Sequence, residues 1–523
     1  MVKLTPPKPL DRVATIIRSE NASAGGPPAA SAKPLASTKP YERPFDEIDA
    51  AAQGAFVDLH DDAALHHLDL DGDGHPKLMM RIWQGALNII GQFDHDLRNF
   101  HRHVTADTLA HAPKTLQIFT AVTRGFPVVP TISHKAYTGL VADWASGADD
   151  TALNAFIYQA GWAYAQVQAH PNNYVLASDW RSVVKAFQEN KVVVQLGVEG
   201  AFMFEASERN LPKLRAFFAS PHNDLPANFP RPTDAELENK MTLMGYFARI
   251  GEQYVSLSHL VSSCFSGTDQ WPAKGEGIDA HNHEGRALVL VANNKGVMID
   301  LAHASRQAQL DVIDMVNKGE YTLPLITSHG LLKVTGAESD ARVTATEALP
   351  AIQKSGGTFG IIGARVWLNE KHSFFAAIWH WIVCFFHPSA DADKYIDTMI
   401  DQMDFIRARI GIDHVSLGLD GDGFVGLPFK DYAQMCDHLR ARMAQRGYCA
   451  EEITKVFGGN WLHVLKRKQD VLEARARDGL DQNSVEDMLS PLNKYFPLPP
   501  PPKSGIRHGP IPKLHPGVLD TIR

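Results

Sequence analysis

Five short hydrophobic runs in this chain each end in a residue of metal-ligand type. They are Val57-Asp58-Leu59-His60-Asp61-Asp62, Leu196-Gly197-Val198-Glu199, Ile299-Asp300-Leu301-Ala302-His303, Ile326-Thr327-Ser328-His329 and Leu417-Gly418-Leu419-Asp420. A run of β-branched and apolar residues reads as a strand buried on both faces. A His, Asp or Glu at the end of such a run is costly unless hydrogen bonds or a metal compensate it. Five such ends, dispersed from residue 58 to residue 420, point to one site assembled at the mouth of a barrel.

The same criterion marks eight candidate strands: 55–59, 115–121, 192–198, 253–258, 297–302, 324–328, 358–363 and 413–419. Helical stretches lie between them, at 180–190, 235–250, 284–294, 306–317, 345–355 and 392–410. Eight strands with intervening helices are the count of an α/β fold of the (β/α)8 TIM-barrel type, whose catalytic groups sit at the C-terminal strand ends. The chain has 523 residues, more than the ~250 of a minimal barrel. Insertions are therefore expected, at about 63–112 and 364–391. The second holds Trp367, Phe374, Phe375, Trp379, Trp381, Phe385 and Phe386 and reads as internal packing or a subunit contact. A Pro/Ala-rich arm over 1–45 and a Pro-rich tail over 491–523 flank a barrel of 46–490.

Composition excludes several classes. A net charge of −8 builds no basic face for nucleic acid. The four cysteines form no CxxC pair, so neither a disulfide scaffold nor a thiolate zinc site is expected, and a cytoplasmic setting is the simpler reading. Prolines 6, 7 and 9 interrupt the N-terminus, which has no apolar signal core. The most apolar run, Phe374 to Phe386, falls short of the ~20 residues a spanning helix needs. Asp69-Leu70-Asp71-Gly72-Asp73-Gly74 is similar to a calcium loop, but its twelfth position is Met80 where an EF-hand needs Glu, so it reads as an acidic turn. His66, His67, His101 and His103 read as surface histidines.

The strand ends carry a definable chemistry. Alternation along a strand turns His60 and Asp62 to one face, where both can approach one metal. Asp58 faces the same way, deeper in the barrel. Glu199 has two oxygens and can bridge two ions. With His303 and His329 it makes an ordinary nitrogen/oxygen shell for zinc. Asp420 and Asp422 compete for the role of base, and spacing alone does not choose between them. His259, closing Val255-Ser256-Leu257-Ser258-His259, can donate to a developing oxyanion.

The order and wording of these segments resemble the renal, or membrane, dipeptidases, zinc peptidases of the amidohydrolase superfamily. Asp58-Leu59-His60-Asp61-Asp62 is similar to the family's DGHND, Gly197-Val198-Glu199-Gly200-Ala201 to its IEGG, and Leu257-Ser258-His259 to its LTH. Gly296 to Ser305 resembles GMxIDLSHxS, Pro324 to His329 resembles PVIxSHS, and Gly356 to Ile361 resembles GGVxGI. Asp413 to Gly423 resembles DHVGIGSDFDG, and Phe457-Gly458-Gly459-Asn460-Trp461 the closing GGN-aromatic element. The matches run from about residue 55 to 465, in family order.

The resemblance implies two zinc ions per subunit bridged by Glu199. One would be held by His60, Asp62 and Glu199, the other by Glu199, His303 and His329. It implies Asp420 as the general acid/base, ahead of Asp422, and His259 as a contact to the substrate carbonyl. It implies Arg342 as the clamp for a substrate carboxylate, a task suited to the guanidinium fork. A dipeptide substrate and a homodimer follow from the same likeness. The chain departs from the pattern at Asp61, Ala201, Gly330-Leu331-Leu332-Lys333 and Gly421-Asp422-Gly423. None of these removes a ligand or the base, but they alter the pocket wall. Two other readings stand beside the dipeptidase: a hydrolase of another small amide, such as a lactam or N-acyl amino acid, and a non-catalytic barrel scaffold.

Overall fold

The computed structural model describes residues 42–61, 114–122, 151–204, 226–231, 243–259, 262–263, 265–269, 276–278, 284–334, 343–363, 388–420 and 432–478. The strands are β1 (Phe56–Asp61), β2 (Thr115–Val122), β3 (Tyr174–Leu176), β4 (Val192–Glu199), β5 (Glu252–Ser256), β6 (Met298–Asp300), β7 (Thr327–Gly330), β8 (Phe359–Ile362) and β9 (Val415–Gly418). Eight of them pair in the order β6-β5-β4-β2-β1-β9-β8-β7. The ends of that order meet: Leu301 N donates to Ile326 O at 2.9 Å, and Ile326 N to Ile299 O at 3.3 Å. The result is a barrel of parallel strands flanked by helices, as the strand count implies. Parallel strands buried on both faces need continuous apolar sequence, and β4 (VVVQLGVE) is buried along its whole length.

All eight expected strands form, with ends shifted by up to three residues. β3 was not expected. It pairs with Val192, Val193 and Val194 at the start of β4, on the edge that β5 takes over from Leu196 onward. At three residues it is too short to show a period. Helices Thr151–Ala169, Tyr432–Gln445 and Asn460–Arg477 were also not expected. In Thr151–Ala169 small and apolar residues are dispersed around the whole helix, so no polar stripe announces it. The anticipated insertions lie outside the described residues, apart from 388–391, which open helix Pro388–Ile410. So do the arms apart from 42–45, the acidic turn at 69–74 and the four surface histidines.

Helix Asn460–Arg477 closes the barrel at the end away from the strand C-termini. Trp461 is fully buried and its Nε1 donates to Gln195 Oε1 on β4 at 2.9 Å. Asn460 Nδ2 donates to Ile412 O and Val415 O, at the start of β9. On the far side, Asp46 caps helix Glu47–Ala51, and buried Asp49 pairs with Arg43 and approaches His463. Burial works to raise the Asp49 pKa, but His463 and Arg43 outweigh it and hold the carboxyl well below the usual range.

Three strands carry register shifts. One lies between Asp58 and Asp61 of β1, one between Thr327 and Gly330 of β7, and one in the pairing of β4 with β5. Bulges kink a strand and re-aim its side chains. The first two contain His60 and His329. At the edge of this region Gly360 and Gly418 let β8 and β9 pass close to β7. A Cβ on Gly418 would sit 1.7 Å from Ser328 O, and one on Gly360 1.9 Å from the same oxygen.

Glu252, the first residue of β5, is buried, and neither carboxylate oxygen has a hydrogen-bond partner among the described residues. Burial pushes its pKa well above the ordinary 4.5, with Lys468 only partly opposing. Lys468 is pushed from 10.5 to about 8, again by burial and against the pull of Glu252. Above pH 4.5 the unfolded chain releases the Glu252 proton while the folded chain keeps it, so this group lowers stability as pH rises toward its folded pKa. Glu252→Gln removes that dependence. Its stability advantage over the parent chain should grow by up to about 1.4 kcal/mol per pH unit, read by denaturant unfolding between about pH 5 and pH 7. A difference that stays constant with pH would contradict this account.

Candidate metal centre

The site is built around one anion. Glu199 ends β4 and is buried, and four imidazoles from four other strand ends face its carboxylate. His303 Nε2 lies 2.7 Å from Oε1, His329 Nε2 3.4 Å and His60 Nε2 3.7 Å. His259 Nε2 lies 3.1 Å from Oε2. Burial alone would raise the Glu199 pKa, yet the imidazoles of His259, His303 and His60 hold it well below the usual carboxylate range. Gly200 follows at φ +85, and a side chain there would collide with the Phe202 ring. A glycine therefore lets the chain turn sharply at the site's central residue.

The imidazoles are oriented from behind. His60 Nδ1 contacts Tyr254 Oη at 3.1 Å and Thr120 Oγ1 at 3.2 Å. Tyr254 donates its own proton to Leu59 O at 2.7 Å. Burial, then the nearby Asp300 charge, push this phenol's pKa far up, so it stays a donor. His329 Nδ1 contacts Ser328 Oγ at 2.8 Å. His303 Nδ1 lies 3.9 Å from Asp269 Oδ2. His60, His303 and His329 thus each have a polar group near Nδ1 and present Nε2 to the centre, the arrangement by which proteins orient metal-binding histidines.

Two residues reach the centre through left-handed backbone. His303, past the end of β6, has φ 61, and Asp420, two residues past β9, has φ 58. Such conformations cost a non-glycine residue ~1–2 kcal/mol and persist only where the surroundings impose them. At His303 the surroundings are explicit: its carbonyl accepts from Asp269 N at 2.9 Å and from Ser258 Oγ at 3.0 Å. At Asp420 the preceding amide, Leu419 N, donates to Asp58 Oδ1 at 2.8 Å, and the same oxygen accepts from His60 N at 3.2 Å. Asp58 therefore ties β1 to the turn after β9. Asp420 Oδ1 comes within 3.9 Å of His60 Nε2.

The donor set fits divalent metal. Glu199, His303 and His329 can each offer one ligand atom within 4.8 Å of the others, and so can His60, His329 and Asp420. The two groups share His329, and Glu199 lies against both. His303 Nε2 and His329 Nε2 are 3.1 Å apart, and the His60 and His329 rings lie 3.7 Å centre to centre. Imidazole nitrogens and carboxylate oxygens converging at this density suit zinc. Among the described residues one further cluster has ligand-type groups, Asp46, Asp49 and His463. Arg43 already neutralises Asp49 there.

The structure places His60, Glu199, His259, His303, His329 and Asp420 close together. Asp62, Arg342 and Asp422 lie outside the described residues. The sequence reading assigned no role to Tyr254, Thr120, Asp300 or Ser328. Asp300 carried a usable signal, as a buried-strand carboxylate three residues before a candidate ligand. Tyr254 and Thr120 carried none, because residues from three strands meet only in the fold.

A parallel barrel with a histidine and carboxylate centre at its C-terminal strand ends defines a metal-dependent hydrolase architecture. Residues 233–478 match the membrane dipeptidase family, peptidase family M19, and this part of the chain is similar to that family. The matched segment contains His259, His303, His329 and Asp420, and begins after His60 and Glu199. A dipeptidase of Claviceps purpurea, tcpJ, is 26% identical over 249 residues, which are 47% of this chain and 51% of that protein. The chain therefore aligns with about half the length of this curated relative. A dipeptidase of Aspergillus terreus, ataJ, is 22% identical over 358 residues, 65% of this chain and 73% of that protein. A metallopeptidase of Rhodobacter sphaeroides, solved with a phosphinate mimic of the dipeptide L-Ala-D-Ala, superposes with a TM-score of 0.51 at 18% identity. That match covers 79% of this chain and 99% of that one and speaks to the fold.

Glu199→Gln removes the charge that the four imidazoles face. Bound zinc should fall from two ions per chain to one or none, read by elemental analysis after dialysis. Two ions retained at parental affinity would show that the carboxylate is not shared.

Proposed function

We propose that the chain is a zinc-dependent dipeptidase, hydrolysing the peptide bond of a dipeptide with a free C-terminal carboxylate. The carrying observation is the Glu199 carboxylate enclosed by four imidazoles, with Asp420 on its rim. His60, Asp62 and Glu199 would hold one ion, and Glu199, His303 and His329 the other. When bound, the ions supply a water of lowered pKa and polarise the scissile carbonyl. The relatives' dipeptidase names and the dipeptide mimic in the Rhodobacter sphaeroides enzyme support the substrate class.

The chain's own residues then act as follows. Asp420, aimed inward by its left-handed backbone, accepts the proton of the attacking water and passes it to the leaving amine. His259 donates from Nε2 to the carbonyl oxygen as it becomes negative. Arg342 pairs with the substrate carboxylate and limits length to two residues. A reducing, cytoplasmic setting suits the exposed free thiol of Cys449. Among the described residues no helix is long and apolar enough to cross a membrane. A homodimer is the assembly the family likeness favours.

A second reading keeps the metals and changes the substrate to another small amide. The departure at Gly330-Leu331-Leu332-Lys333, beside His329, favours it. Free dipeptides compared with their C-terminal amides separate the two, since equal turnover of both removes the carboxylate clamp.

Amino-acid release from a dipeptide panel should require zinc and stop on chelation. Asp420→Asn should lower kcat by ~10²–10⁴-fold while two ions stay bound. Loss of metal from that variant, with activity restored by added zinc, would overturn the acid/base role.

A further inference from the structure

A neutral imidazole can bind metal through Nε2 only when its proton sits on Nδ1. What stands behind Nδ1 therefore decides whether the ring is ready to bind. Behind His329 stands a two-step chain that ends on a buried carboxylate. Ser328 Oγ lies 2.6 Å from Asp300 Oδ2 and 2.8 Å from His329 Nδ1. A carboxylate only accepts, so the single hydroxyl proton lies toward Asp300. Ser328 Oγ then has only lone pairs to offer His329, and Nδ1 must carry a proton to use them.

Asp300 is built to hold that arrangement. It is fully buried and sits at the seam where the barrel closes, bridged to Ile326. Its Oδ1 accepts from Ser328 N at 2.7 Å and from Ala302 N at 3.0 Å. Its Oδ2 accepts from Ser256 Oγ at 2.6 Å as well as from Ser328 Oγ. Donors on β5, β7 and the turn after β6 thus saturate one carboxylate, which cannot rotate without breaking several bonds. At His60 the partners of Nδ1 are the hydroxyls of Tyr254 and Thr120, and His303 Nδ1 lies 3.9 Å from Asp269 Oδ2.

We propose that Asp300, acting through the Ser328 hydroxyl, is a positioning residue that fixes His329 in the Nδ1–H tautomer and so prepares its Nε2 for metal. The inference rests on the metal reading above and deepens it. Asp300 touches neither substrate nor ion. Its effect falls on the affinity for the ion that His329 holds.

The test is zinc affinity of the full chain by competition with a chromophoric chelator, which needs no substrate. Ser328→Ala breaks the link while leaving the Asp300 bonds to Ser256 Oγ, Ala302 N and the residue 328 amide. It should weaken one of the two ions by ~10–100-fold. Ser328→Thr keeps the hydroxyl and should stay near the parent. Ser416→Ala removes another buried hydroxyl, bonded at 2.8 Å to Thr358 Oγ1 just before β8, and should leave both affinities unchanged. In metal-free protein labelled with 15N-histidine, the signal lost in His329→Asn should belong to an Nδ1–H ring in the parent and change tautomer in Ser328→Ala. Unchanged affinities in Ser328→Ala, or an equal loss in Ser416→Ala, would overturn the proposal. A parent chain that takes up no zinc would instead overturn the metal reading, and does so before any substitution is made.

Discussion

The Glu199 carboxylate is the interaction on which the rest of this structure turns. A buried anion would ordinarily take up a proton. Here imidazoles from the ends of β1, β5, β6 and β7 surround it, and those of His259, His303 and His60 hold its pKa well below the usual carboxylate range. The constraint works in both directions. The anion draws the rings inward, and the rings must be supplied by strands that converge, which a closed parallel barrel does at its C-terminal mouth.

Convergence alone does not aim side chains, and the chain spends local strain to do so. His60 and His329 lie within irregular stretches of β1 and β7. His303 and Asp420 adopt left-handed backbone that L-residues avoid. Behind these positions stand buried carboxylates that hold backbone amides, Asp58 for His60 and Leu419, and Asp300 for Ala302 and Ser328. Strain at the centre is thus matched by hydrogen bonds one layer out, the usual economy of a functional site.

The opposite end of the barrel is made for closure. Trp461 reaches inward to Gln195, two β4 turns of alternation below Glu199, and Asn460 caps the carbonyls that open β9. The alternation of β4 places Gln195, Gly197 and Glu199 on one face, so a single strand joins the sealed end to the reactive one. Gly197 between them lacks a side chain because the Tyr254 ring occupies the space. That ring in turn carries the hydroxyl that backs His60.

The chain by itself determined the architecture and the principal side chains of the site. Continuous apolar runs such as Val192–Val198 can only be strands covered on both faces, and eight of them separated by helices leave few arrangements but a barrel. A ligand-type residue ending such a run is legible because it breaks the apolar pattern, which is why His60, Glu199, His303 and His329 stand out, whereas Asp420 was preferred to Asp422 only through the family resemblance. The tertiary structure decided what no local pattern encodes. β3 is too short to have a period, and helix Thr151–Ala169 has no polar stripe. Register shifts at His60 and His329 depend on neighbouring strands. The partners behind each imidazole, Tyr254 with Thr120 and Ser328 with Asp300, come from strands far apart in sequence. Hydrogen-bond direction and tautomer are set by three-dimensional neighbours, and those neighbours exist only once the barrel has closed.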